Sequence, residues 1–213
     1  MAITISGDGI PESSLQISNT PTNGQFLSAQ SGNTGGLTWA AASGGGGSME
    51  FISKTTASNV SSVDFTGLSM SGYTQFRIIA SDVYPASSTM FKGRVLNTSN
   101  AALTDSDYGS KVVVDGAVVY TSSSRSDFLL DGSFTATSKS FMTADYILSP
   151  DTLTVWMIAS INDRTNSNGT APRQIFSSNV YQDSSAISFG GITFYSGSGN
   201  INGTFALYGI KDS

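Results

Sequence analysis

No ten-residue window of this chain carries the i, i+3, i+4, i+7 spacing of apolar residues. A helix needs that spacing to bury one face, so helix is excluded as the main element. Short period-two alternation recurs instead. Over residues 73–84, Phe76, Ile78 and Ala80 fall on one side; Tyr73, Gln75, Arg77 and Ile79 fall on the other, and Pro85 ends the run. Residues 152–160 are the most strand-like run and read as a central strand. Asp115-Gly116 joins residues 111–114 and 116–120 as a hairpin. A second Asp-Gly, Asp131-Gly132, separates residues 127–130 from 133–136. Residues 186–189 and 192–195 read as separate pieces, and residues 97–110 as a polar loop with one helical turn at Ser106-Asp107-Tyr108. Roughly ten to twelve short strands at this spacing predict an all-β fold, an antiparallel β-sandwich of jelly-roll type.

One stretch interrupts the pattern. Ser43-Gly44-Gly45-Gly46-Gly47-Ser48 can hold neither helix nor strand, because glycine loses the most backbone freedom on ordering and has no side chain to bury. Six such residues span about 13 Å as a coil. The expected organisation is an extended N-terminal arm over residues 1–42, a linker over 43–48 and the sandwich over 49–213. The arm's large apolar residues are Ile3, Ile5, Leu15, Ile17, Phe26, Leu27, Leu37 and Trp39, in short alternating pieces cut by Gly7-Asp8-Gly9, Pro11 and Asn23-Gly24. They are too few for an independent core. At about 1.5–3 kcal/mol per side chain fully buried, they suffice to hold the arm against a partner.

Composition narrows the function. Charged residues are only 12%, so polarity comes from Ser, Thr, Asn and Gly. Such a surface suits packing against copies of the same chain, because charge is depleted in interface cores. The net charge is −5, and the ten Lys and Arg residues are scattered singly, which excludes the dense cationic face that nucleic acid requires. The first residues lack a cationic start and a long apolar run, so no secretion signal is expected there. No apolar run approaches 18 residues, so no membrane insertion is expected.

Two sets of residues carry a resemblance. Asn23-Gly24-Gln25-Phe26-Leu27, a Gly-Asn-rich turn, Leu37-Thr38-Trp39-Ala40-Ala41 and a glycine run resemble a segment of tailed-bacteriophage fibre and appendage proteins. Val63-Asp64-Phe65-Thr66-Gly67, Tyr73-Thr74-Gln75-Phe76-Arg77-Ile78-Ile79 and Asp82-Val83-Tyr84-Pro85-Ala86 lie early in the larger piece. With Gly199-Asn200-Ile201-Asn202-Gly203-Thr204-Phe205-Ala206-Leu207-Tyr208-Gly209-Ile210-Lys211, they resemble β-sandwich domains at the C-terminal ends of marine and environmental phage fibre proteins. The chain departs from that pattern in having Asp82 and Tyr84 around Val83. The resemblance implies a virion location and a sandwich fold. The apolar residues of the arm, Ile3 to Trp39, then become virion-anchoring positions.

Catalytic chemistry is poorly served. There is no His and no Cys, which closes Ser–His and Cys–His nucleophilic schemes. Asp105-Ser106-Asp107 reads as a solvated turn rather than a Ca²⁺ site, and Asp127 and Asp131 as turn-capping aspartates. No cofactor and no metal are expected. The candidate ligand-binding residues are Arg164, Asn166 and Asn168, in the polar loop 162–170, with Tyr108 and Tyr181 near loops. Long irregular loops on a rigid sandwich are where binding concentrates. Trp156 is set aside, since its strand reads as buried. The expected function is a non-enzymatic short fibre on the surface of a phage particle. It would form a homotrimer, dock on other virion proteins through residues 1–42 and present the sandwich to a host-surface glycan. A capsid decoration or cement protein, a head fibre, is the alternative.

Overall fold

The period-two runs become strands whose alternate side chains face a core. In β5 (Gln75–Pro85), Phe76, Ile78 and Ala80 are buried, and Gln75, Arg77 and Ile79 are only partly so. The phase slips at Asp82, where a bulge places φ at 53° and returns Val83 and Pro85 to the inside. Asp tolerates that left-handed conformation.

A computed structural model describes residues 17, 19–20, 22–30, 32, 34–41, 49–136, 139–148, 154–163, 173–183 and 187–211. The arm positions Ile3, Ile5 and Leu15 lie outside these residues, as do the glycine run and the loop positions Arg164, Asn166 and Asn168. The chain divides into two compact units, Met1–Gly47 and Ser48–Ser213.

In the first unit β1 (Gln25–Ala29) pairs antiparallel with β2 (Leu37–Ala41), setting Leu27 opposite Trp39 and Phe26 opposite Ala40. Ile17 adds a parallel bridge to Leu37. Asn19 ties the two together: its Oδ1 accepts from the Trp39 N–H at 2.6 Å and its Nδ2 donates to the Trp39 carbonyl at 2.7 Å. None of the unit's described hydrophobic side chains is fully buried, and Phe26 is 45% exposed.

Among the described residues the second unit holds twelve strands. Besides β5 they are β3 (Met49–Val60), β4 (Ser62–Thr66), β6 (Thr89–Asn97), β7 (Tyr108–Val114), β8 (Ala117–Arg125), β9 (Phe128–Phe134), β10 (Ser140–Leu148), β11 (Thr154–Asp163), β12 (Arg173–Gln182), β13 (Phe189–Ser196) and β14 (Ile201–Ile210). Eight form one sheet, in the order β3-β14-β5-β10-β11-β12-β7-β8, and four form the other, β4-β13-β6-β9. Every pairing within them is antiparallel. This is the expected β-sandwich, with β11 central in the large sheet.

The core lies between the inner faces. Phe194 of β13 meets Phe91 at 6.0 Å, Phe205 at 5.8 Å and Tyr146 at 6.2 Å between ring centroids, linking both sheets through aromatic contacts. The β7–β8 hairpin turns on Asp115 and Gly116, whose φ values of 48° and 85° fit the tight turn read from the sequence.

Three local expectations are corrected. Asp131-Gly132 is not a turn: β9 runs straight through it, because Asp131 is drawn inside to an ion pair with Arg173. Gly190-Gly191 does not divide two strands: β13 passes through both with a bulge. No helical turn forms at Ser106-Asp107-Tyr108: Tyr108 opens β7 with its side chain fully buried.

Candidate functional site

Two of the expected ligand residues are in the wrong place for the role. Tyr108 and Tyr181 are fully buried, with ring centroids 4.5 Å apart. The Tyr108 hydroxyl donates to the Leu103 carbonyl at 2.9 Å and accepts from the Val95 N–H at 3.2 Å. The Tyr181 hydroxyl lies 3.2 Å from a carboxylate oxygen of each of Asp105 and Asp183. Burial first, then those two carboxylates, push the Tyr181 phenol far up. These tyrosines are core rings with satisfied hydroxyls, and no surface sugar can stack on them. The Asp105-Ser106-Asp107 turn serves in part to receive one of them. Among the described residues no group of three or more acidic, His or Cys side chains is placed to hold a metal ion.

Trp156 is also corrected. It is 47% exposed, on the outer face of the large sheet. Two of the outward positions of β11, Trp156 and Ile158, are apolar, so alternation was hidden in the first half of a run that reads as hydrophobic on both faces.

The densest functional chemistry sits on the outer face of the four-stranded sheet. Lys92 and Arg94 alternate with buried Phe91, Gly93 and Val95 on β6, so both cations point outward. Tyr195 lies opposite Lys92 on β13. The Arg94 guanidinium stands 4.8 Å from the Tyr195 ring centroid and donates through Nε to the Ser126 carbonyl at 2.8 Å. Asp127 anchors the cluster. It accepts from Lys92 at 3.0 Å, from the Tyr195 hydroxyl at 3.1 Å and from Arg125. Arg125 also donates to the Tyr120 hydroxyl at 2.6 Å. Three of the chain's ten cationic residues thus converge where the sequence showed only single charges. The legible signal was the i, i+2 spacing of Lys92 and Arg94. The contribution of Arg125 and Asp127, from a different part of the chain, had none.

Beside this cluster a concavity of about 340 Å³ is lined by Ser61, Ser62, Asp64, Arg94, Asn100, Thr193 and Tyr195, with Leu96 and Ala102 as its apolar part. Asp64 accepts from Thr193 Oγ1 and, at 3.1 Å, from Ser62 Oγ. Among the described residues Arg94 forms no ion pair. The wall therefore combines a guanidinium, an amide, the Ser61 hydroxyl, a carboxylate that already accepts from Ser62 and Thr193, and an aromatic ring. Groups of this kind can hydrogen-bond a polyhydroxylated ligand.

Asp127 is fixed as an anion. Burial acts to raise its carboxyl, but hydrogen bonds from Arg125 and Lys92 and their charges outweigh it and hold the group below the ordinary carboxylate range. A depressed folded-state value means that the unfolded chain binds the proton more tightly. The stabilisation is complete above the unfolded value, about 3.9, and is lost as pH falls through the folded one. Asp127→Asn is expected to cost about 2 kcal/mol at neutral pH, the value of hydrogen bonds to a charged group. It should also flatten the fall in melting temperature below about pH 4. Thermal unfolding across pH 2–7 checks this, and coincident acid limbs for the two proteins would refute it.

No protein-family model, curated protein or solved structure matches the chain.

Proposed function

We propose that this protein is a non-enzymatic structural component of a tailed-phage particle, a short fibre anchored by residues 1–42 that presents the sandwich to the host surface. The observation that carries this reading is the division of the chain into two unlike units. The second has a closed aromatic core. The first has a paired hairpin but leaves Phe26 exposed and Leu27, Leu37, Trp39 and Ile17 only partly covered. An element whose described apolar side chains are left partly uncovered is suited to ordering against a partner. The resemblance of residues 23–41 to phage appendage segments gives that partner a class. The polar concavity beside Arg94 and Tyr195 is the proposed contact for a host-surface glycan, and several copies would convert weak contacts into avidity. The buried carboxylates support the non-enzymatic reading, because each is engaged inside the fold, Asp127 by Lys92 and Arg125 and Asp131 by Arg173.

A capsid decoration protein is the second reading, favoured by the shortness of the Ser43–Ser48 linker, about 13 Å as a coil. One experiment addresses anchor, location and ligand together. Particles assembled with the full chain, with a chain lacking residues 1–42 and with Arg94→Ala are compared for copy number and for adsorption to host-surface polysaccharide. The truncated chain should fail to incorporate. Arg94→Ala should incorporate normally and adsorb about tenfold more weakly, the loss of one charged contact. Incorporation of the truncated chain would end the anchor reading, and hundreds of copies per particle would replace the fibre by the decoration protein.

A further inference from the structure

Six glycines within the strands of the second unit are held there by crowding. A Cβ added to Gly93, Gly109, Gly190, Gly191, Gly203 or Gly209 would stand 3.2 Å or less from another atom. Gly132, in β9, is different. Among the described residues nothing stands within 4 Å of its added Cβ, and its φ lies outside the left-handed region. With Ser133 it forms a bulge opposite Met90 of β6. That bulge is built into the fold: the Ser133 N–H donates to Asp131 at 2.8 Å, and the Ser133 carbonyl accepts from Arg173 at 3.3 Å. Glycine weakens a strand, so one that neither backbone angle nor packing requires points to a ligand that approaches the backbone closely.

The two hollows that meet at Gly132 define the ligand. One, of about 450 Å³, is polar and includes Ser88, Thr89, Lys92 and Gly197 in its lining. The Thr89 hydroxyl forms no hydrogen bond among the described residues. The Ser88 hydroxyl accepts from the Ala136 N–H at 3.2 Å and keeps its own proton to donate. The other, of about 360 Å³, is mostly apolar and is walled by Val114, Val119, Tyr120 and Leu129. Its charged members, Asp131 and Arg173, meet each other at 2.6 Å, so it suits a neutral apolar group rather than an ion. Met90, Gly132 and Ser133 line both hollows. β8 and β9 are each the last strand of a sheet, so among the described residues no further strand closes this flank. We propose that it binds an amphipathic glycoside, a sugar carrying an alkyl or acyl chain. The sugar hydroxyls meet Ser88, Thr89 and Lys92, and the chain crosses the bare backbone of Gly132 into the apolar hollow. There it covers Met90 and Val119, which are 40% and 57% exposed. Both volumes are at the small end for ligand sites, enough for a sugar ring or a short chain but not for a helix 10–12 Å across. The site shares no lining residue with the concavity beside Arg94 and does not depend on the proposed function.

The test titrates the full chain calorimetrically with n-octyl β-D-glucopyranoside below its micelle concentration, with methyl β-D-glucopyranoside and octan-1-ol in parallel. One octyl glucoside per chain is expected. The methyl compound should bind at least thirtyfold more weakly, because each buried methylene tightens binding roughly fourfold. Octan-1-ol should bind about tenfold more weakly, through loss of the hydroxyl contacts. Gly132→Phe blocks the crossing and should weaken octyl glucoside at least tenfold with unchanged far-ultraviolet circular dichroism, since its ring enters open space. Val119→Asp, at an exposed position, sets a charge at the apolar hollow and should weaken binding about tenfold, which keeps the test decisive if the larger substitution disturbs β9. The proposal is overturned by absence of saturable binding, by uptake of several molecules per chain, or by equal affinity for either parallel compound. Affinity that either folded variant leaves unchanged overturns it as well.

Discussion

Replacing Asp131 by alanine is expected to destabilise the sandwich by about 3–5 kcal/mol, a fall in melting temperature of roughly 6–20 °C for a domain of this size. The side chains of Asp131 and Arg173 are only 1% and 7% exposed, and they meet at 2.6 Å. They come from different sheets, β9 in the small one and β12 in the large one. The Asp131 carboxylate also accepts from the Ser133 N–H at 2.8 Å. Truncation therefore removes an anion from beside a buried guanidinium and takes the acceptor from the Ser133 N–H at the same place. The cost lies in a buried charge that has lost a close counter-ion rather than in the attraction of the pair, because two buried ions lose most of what they gain when they leave water. Asp131→Leu combined with Arg173→Met should accordingly recover most of the loss. Calorimetry on the three proteins separates the cases. A single variant within about 1 kcal/mol of the parent would show that solvent reaches the pair.

That residue also shows where the sequence stopped being legible. Alternation and turn spacing were enough for the sandwich, because they report on local geometry and on which face meets the core. The same reasoning read Asp127 and Asp131, which flank the apolar Phe128-Leu129-Leu130, as turn caps, since Asp at the end of a strand commonly is one. Apart from Arg125, two positions from Asp127, the partners that hold them inside lie far along the chain: Arg173 is 42 positions from Asp131, and Tyr195 is 68 from Asp127. No local pattern encodes such a pairing. The buried Tyr108 and Tyr181 were misjudged for a related reason. Proximity to polar loops in sequence does not reveal that two rings from β7 and β12 meet inside. Trp156 erred in the opposite sense, because a strand with apolar residues on both faces looks buried whether or not its outer face is covered. Half of the polar site was readable, as Lys92 and Arg94 on one face of β6. The other half required β13 and the segment before β9 to arrive beside them.

Gly191→Ala is the second change expected to have a large effect, about 3 kcal/mol, at the upper end of what overpacking costs. Gly190-Gly191 looks like a break between two strands, yet β13 continues through it. The reason is crowding from both sides. β13 is flanked by β4 and β6, and its register slips between Phe189 and Gly191. A Cβ on Gly191 would press into the backbone carbonyl of Phe65 on β4, and one on Gly190 into the backbone of Asn97 on β6. Backbone in a paired strand cannot rotate aside as a side chain can, so accommodation has to move the strand, and with it Phe65 and Ile192, which sit in the core. Gly132→Ala is the matched control. That glycine lies within β9, yet nothing stands within 4 Å of its added Cβ, and its effect should stay within about 0.5 kcal/mol. Denaturant unfolding of the two variants decides the matter. Equal stabilities would mean that Gly191 marks flexibility rather than close approach, and the same carbon atom added to two glycines within strands distinguishes a crowded backbone from an open one.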